Sequence, residues 1–253
     1  IEYKRTTLSL LDMTRFAVES VTSSLETDEA IWKGCRHKDI LKKVQMFIYK
    51  TLNNAYRIGD FWSKIPAYEH RAMCQICRNE TETMEHILIN CRDPVRKTIW
   101  ELAKGLWPEK HGPWPVPHIG LILGCGVITL PKQPNNNDTN NNKSMTGASR
   151  LLRILISESA HLIWTMRCDR TINGTTYTEI TTKKRWCNAI NRRLHLDRAI
   201  ASKMRRNTKA ANTVKITWSD IIDSNQNPQD DWMTNLEVLV GIDLSRPSQT
   251  VGT

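Results

Sequence analysis

Apolar residues recur at three- and four-residue steps along much of this chain, and alternating apolar–polar runs are few. That pattern predicts a mainly α fold. Within residues 37–55, Ile40, Leu41, Val44, Phe47, Ile48, Leu52 and Ala55 form one face, with Lys38, Lys42, Lys43 and Lys50 mostly outside it. Asp93 followed by Pro94 reads as a helix cap with proline at the first helical position. Val95, Ile99, Trp100, Leu102, Ala103 and Leu106 carry that helix to about Trp107. Residues 146–170 are apolar around much of the helix circumference, which predicts a buried central element. A further helix is expected from about Thr178, with Ile180, Trp186, Ala189, Ile190 and Leu194 as its period. The first thirty residues are only loosely helical, 57–66 reads as a turn, and 119–126 is too short and glycine-broken to assign. Residues 108–117 are proline-rich, and 135–142, NNNDTNNN, reads as a low-complexity loop and the best internal boundary.

Charge changes the picture through its placement. The net charge is +10, and between Lys183 and Lys215 eleven Lys and Arg face one acid, Asp197. The residues beyond are acidic. Such polarity points to a localised partner of negative charge, and RNA or DNA is the expected one. The candidate contacts are Lys183, Lys184, Arg185, Arg192, Arg193, Arg198, Lys203, Arg205, Arg206 and Lys209. Trp186 and Trp218 lie in or beside this run, where exposed rings would stack on bases, although the apolar period favours a core position for Trp186.

The chemistry lies in Cys74, Cys77, His86 and Cys91, a C-x2-C-x8-H-x4-C pattern. Zinc in a structural role takes four soft or borderline ligands in a closed tetrahedron, and these types and spacings meet that requirement. Two cysteines three apart can share a tight turn. His86 and Cys91 are five apart and cannot sit side by side on a regular helix, so a short helix over 82–88 is expected to end before Cys91. His70 is near enough to be a rival ligand. Four ligands leave no place for a catalytic water, so the zinc is expected to be structural, and no catalytic residue is assigned. A zinc deaminase is excluded, because Met73 precedes Cys74 and no H-x-E lies upstream. The remaining cysteines, Cys35, Cys125, Cys168 and Cys187, sit among apolar neighbours and read as reduced thiols. The absence of a signal-like start and of an apolar run near 20 residues leads us to expect an intracellular protein, nuclear or cytoplasmic, with no membrane partner. The three glycosylation sequons are then chance matches. The chain opens at Ile1 rather than Met, which suggests a piece of a longer reading frame.

The zinc pattern, with Glu82-Thr-Met-Glu-His86-Ile-Leu inside it, resembles the reverse-transcriptase zinc-binding domain that follows polymerase and ribonuclease H domains in non-LTR retrotransposons. Flanking blocks extend the likeness to roughly residues 31–242. They include Ile31-Trp-Lys, Arg57-Ile-Gly-Asp-Phe-Trp, Ile65-Pro-Ala-Tyr-Glu-His-Arg-Ala, Ile99-Trp-Glu-Leu-Ala-Lys, Arg153-Ile-Leu-Ile-Ser-Glu-Ser-Ala and Val238-Leu-Val-Gly-Ile, and together they resemble a fungal version. The resemblance implies a retroelement origin, a nucleic-acid setting and upstream catalytic domains as partners. It supplies no activity: Asp230-Asp231 lies in a polar tail, and Asp12, Glu19 and Glu26 lack the strands a ribonuclease H site needs. The expected organisation is an N-terminal extension (1–30), a zinc-binding helical domain (31–134), an Asn-rich loop (135–147), a helical region with the basic stretch (148–215) and an acidic C-terminal tail (216–253). The expected function is a non-catalytic, zinc-stabilised nucleic-acid-binding module. The alternatives are a scaffold docking onto upstream catalytic domains and a residual ribonuclease H fragment.

Overall fold

A computed structural model describes residues 4–131, 139–204, 208–222 and 231–244. The fold is mainly α, and the described residues contain isolated bridges but no strand. Its helices are α1 (Arg5–Thr22), α2 (Asp28–Gly34), α3 (Lys42–Leu52), α4 (Asp60–Ser63), α5 (Pro94–Leu106), α6 (Ile119–Leu123), α7 (Thr139–Asn173), α8 (Glu179–Lys203) and α9 (Thr208–Trp218). The expected loop 135–142 is divided: residues from Thr139 belong to α7, and 135–138 lie outside the described residues. α3 begins at Lys42 rather than near residue 37. The Gln45 amide donates to the carbonyls of His37 and Ile40 and holds the preceding turn.

The glycine-broken segment proves to be α6, and α1 explains its glycines. A Cβ on Gly120 would stand 2.3 Å from the Met13 carbonyl oxygen, and one on Gly124 would stand 2.3 Å from a Val18 methyl. Only hydrogen at those positions lets α1 lie directly on α6. Leu11 and Val18 are fully buried in this contact, so α1 is part of the core.

α7 is the central element, in contact with α3, α5, α6, α8 and α9. Two of its arginines are paired inside. Arg150 reaches Asp39 at 2.9 Å and Asp197 at 2.7 Å, and Arg153 reaches Asp39 at 3.0 Å and the Ile128 carbonyl at 2.9 Å. Burial acts to raise the Asp39 carboxyl, but the two guanidiniums prevail and hold it below its ordinary value. The Trp218 indole donates to Asp197 at 2.8 Å, and the Trp186 indole to Ser159 at 2.9 Å.

Residues 231–244, within the expected acidic tail, pack onto α8. Arg198 donates to the carbonyls of Trp232, Asn235 and Val238, and the Ile242 N–H donates to Asn191 at 3.0 Å. Ile222 and Ile242 form an antiparallel bridge beside them.

Candidate metal centre and basic face

The candidate donor cluster is built on a short hairpin. The Cys74 N–H donates to the Glu80 carbonyl and the Glu82 N–H to the Ala72 carbonyl, at 2.9 and 2.8 Å, with Met73 and Thr81 bridged between them. The turn carries Cys77 and passes through Arg78 at φ 61°, where the chain reverses. Its underside rests on Gly59, at φ 48°, whose missing Cβ would lie 2.6 Å from the Glu82 carbonyl oxygen.

The other two donors sit across a widened helical turn. His86–Asn90 is a π-helix, closed by the Cys91 N–H donating to the His86 carbonyl at 2.7 Å. This i→i+5 bond brings together two residues that a regular helix would separate, and helix geometry ends at Asn90, before Cys91. Ile87 and Leu88 enter the core, and Trp100 on α5 donates to the Leu88 carbonyl at 2.8 Å. Asp93 then caps α5 through the Val95 N–H, as its sequence predicts.

The donor atoms of Cys74, Cys77, His86 and Cys91 all lie within 4.8 Å of one another, and three of the four residues are buried. Cys91 Sγ stands 3.6 Å from Cys74 Sγ and 3.7 Å from Cys77 Sγ. Sulfurs bound at zinc–sulfur length in a tetrahedron stand about 3.8 Å apart, and a disulfide would need about 2.05 Å. The N–H groups of Cys77 and Arg92 point at Cys74 Sγ and Cys77 Sγ, at 3.5 and 3.4 Å, and would stabilise thiolate charge.

His86 supplies an independent sign. Its Nδ1 lies 2.9 Å from a Glu80 carboxylate oxygen, while its Nε2 is buried with no hydrogen-bond partner. A carboxylate on one ring nitrogen fixes the tautomer and leaves the other as a ligand. Burial, then the neighbouring thiols, push the Cys91 thiol well above its ordinary range. The residues therefore fit a metal ion. His70 is exposed and stands outside the cluster.

Two ion pairs tie the hairpin and the start of α5 to α7. Arg167 grips the buried Glu82 carboxylate with two N–H groups, one at 2.9 Å, and Arg170 pairs with Asp93.

Residues 16–100 match the family described as zinc-binding in reverse transcriptase. The matched segment is about a third of the chain and contains all four donors and Gly59. No curated protein and no solved structure matches the chain. The family description names metal binding, and the structure supplies a cluster able to hold a metal inside the matched segment.

The basic run is divided by its helix. Lys183, Lys184, Arg185, Arg192 and Lys203 are exposed on α8, and Lys209 is exposed on α9. Arg185, Arg192 and Lys203 follow at steps of seven and eleven residues, close to whole turns, so they share one line about 27 Å long. Arg185 also donates to the Tyr177 hydroxyl at 2.9 Å. The exposed apolar residues Leu196 and Ile200 lie on the same helix, and exposed Met204 follows its end.

Arg193 and Arg198 correct the expectation. Both are buried, Arg193 against Asp197 at 3.4 Å and Arg198 among three carbonyls, so they hold the fold rather than face a phosphate. Trp186 and Trp218 are fully buried and offer no stacking face. Arg205 and Arg206 lie outside the described residues. Of the other cysteines, Cys35 and Cys125 are buried, with burial pushing their thiols to about 11 and about 12, while Cys168 and Cys187 are half-buried. Among the described residues no helix is long and apolar enough to cross a membrane.

Proposed function

We propose that this chain is a non-catalytic, zinc-stabilised nucleic-acid-binding module of a retrotransposon-derived reverse transcriptase and ribonuclease H protein. The observation that carries the reading is the closed donor set: three sulfurs and one unpartnered imidazole nitrogen within 4.8 Å of one another, with Cys91 Sγ at tetrahedral spacing from the other two sulfurs. Zinc fits because thiolate and imidazole are its preferred ligands. Cys74, Cys77, His86 and Cys91 would hold it. When bound, the ion supplies a cross-link between the hairpin and the π-turn, and a filled tetrahedron has no open position for activating water.

The nucleic-acid part rests on the line of Arg185, Arg192 and Lys203, with Lys183 and Lys184 beside it. Cations spaced along one helix neutralise phosphates with release of counterions, which gives salt-sensitive and largely sequence-independent affinity.

Two measurements test this. Elemental analysis should find one zinc per chain, lost together with helicity in Cys74→Ser; a well-folded protein without zinc would remove the metal reading. Titration of RNA and DNA against the full chain should give a steep salt dependence. Lys184→Glu with Arg192→Glu should reduce the slope of log K on log salt by roughly 0.7–0.9 per lost phosphate contact. Unchanged affinity in that variant would remove the basic face from the function.

A second reading, a scaffold for the catalytic domains of the same protein, is favoured by one feature. An apolar groove of about 900 Å³ runs between α1 and residues 107–118, lined by Phe16, Trp107, Val116 and Leu121. Phe16 and Val116 are largely exposed there.

A further inference from the structure

The segment between α3 and the hairpin holds a surface that neither the basic run nor the metal uses. α4 and the 3₁₀ turn Glu69–Ala72 fold against each other, with Ala67 at φ 70° reversing the chain between them. Phe61 and Tyr68 stand at 40% and 44% exposure on this pair, with Trp62 half-buried beside them. The rings form a cluster: Phe61 meets Trp62 edge-on at 5.2 Å, and Trp62 lies 6.1 Å from Tyr68. The Trp62 indole donates to the Arg57 carbonyl at 2.8 Å, which fixes its plane.

Two guanidiniums lie over these rings. Arg71 sits 5.2 Å from the Trp62 centroid and 4.7 Å from that of Tyr68, and Arg57 sits 5.4 Å from that of Phe61. Asp60 and Glu69 are on the same segment, yet among the described residues neither forms an ion pair with Arg57 or Arg71. Lys64 and Arg78 are exposed nearby in the chain. Exposed rings scattered singly are ordinary; three rings together under two cations without carboxylate partners are not.

The geometry points to a binding platform for unpaired bases of single-stranded nucleic acid, formed by Phe61, Trp62, Tyr68, Arg57 and Arg71. Every base has a π-face that stacks on aromatic rings and on guanidinium planes, and the phosphates beside it bring the negative charge these arginines lack. A duplex hides those faces, so the platform selects single strands. This deepens, and rests on, the nucleic-acid reading of the chain, and it adds a second contact region distinct from α8.

Fluorescence anisotropy with the zinc-loaded full chain tests it, using short oligo(U) RNA, oligo(dT) DNA and a DNA duplex of matched length. Tyr68→Ala and Arg71→Ala, both at exposed positions, should each weaken single-strand binding by roughly 5- to 100-fold and leave duplex binding unchanged. Trp62→Phe, which keeps a stacking ring, should retain most of the affinity. The α8 variant Lys184→Glu with Arg192→Glu should weaken single strand and duplex alike. Equal weakening of RNA and DNA would assign recognition to the bases, and a larger RNA effect would add the 2′-hydroxyl. Single-strand binding unchanged in folded Tyr68→Ala and Arg71→Ala overturns the platform while leaving the α8 reading intact. No binding of any nucleic acid overturns both.

Discussion

Glu80→Ala isolates the part of the metal centre outside its four ligands. The Glu80 carboxylate lies 2.9 Å from His86 Nδ1, and the imidazole is buried while the Glu80 side chain is 47% exposed. Loss of a carboxylate that orients a ligating histidine lowers metal affinity by about 10- to 100-fold. Half-exposure places this case at the low end, because water can replace the lost oxygen. The expected loss is about tenfold, or about 1.4 kcal/mol. At fixed free zinc the same amount should disappear from the unfolding free energy, since a ligand that binds only the folded state stabilises it by mass action. Glu80→Gln keeps an acceptor for the Nδ1–H and should lose less. Glu101→Ala removes an equal charge from the exposed face of α5 and should leave zinc affinity unchanged. The assay is competition with a chromophoric chelator, followed by urea unfolding in a zinc buffer. Zinc affinity within twofold of wild type in Glu80→Ala would refute the assignment of Nε2 as the ligating nitrogen.

Arg167→Ala should destabilise the chain by about 3–5 kcal/mol, because it leaves the Glu82 carboxylate buried without its partner. Urea melts at saturating zinc measure this, and a loss under 1 kcal/mol would mean that the pair is weaker than its burial implies. His161 gives a pH signature. Burial, then Lys43, lower its pKa from 6.5 to about 4, so the unfolded chain takes up the proton first as pH falls. Stability should therefore decline between pH 6.5 and 4, by on the order of 3 kcal/mol from this group, and be recovered above that window. His161→Phe should flatten that limb relative to wild type, and parallel pH curves for the two proteins would rule the mechanism out.

The convergence of the four candidate donors and the start of α5 were legible because their signals are local: donor spacing in one case, Asp93-Pro94 in the other. The π-turn was not, since the sequence marks only that His86 and Cys91 are too far apart for a regular helix. Arg193 and Arg198 show how a charge run misleads. Trp186, Ile190, Arg193, Leu194, Asp197 and Ala201 recur at three- and four-residue steps, which places Arg193 and Asp197 on the apolar stripe. The single acid of the run, four residues after Arg193, was the available clue. Arg198 had none, because its carbonyl partners are 34 to 40 residues away along the chain. α9 falls mostly within the expected helical region but was not set apart because its buried residues are few, and α4 was missed because exposed rings follow no burial period.

The placement of the platform makes metal dependence a discriminating property rather than a general one. Residues 57–72 meet the hairpin at both ends, Gly59 lying beneath the Glu82 carbonyl and Ala72 accepting from the Glu82 N–H, while Ile58 enters the main core. The hairpin itself is held by short backbone bonds, the metal donors and the Glu82–Arg167 pair. α8 is seated on α5, α7, α9 and residues 231–244, one step further from the donor cluster than the platform is. Removing the metal should therefore loosen the aromatic platform before it disturbs the basic line. A chelated protein that remains helical would lose its preference for single strands and keep salt-sensitive affinity for duplex. Loss of both in parallel, with helicity retained, would mean that the two regions form one surface and that the separation argued from their supports is wrong.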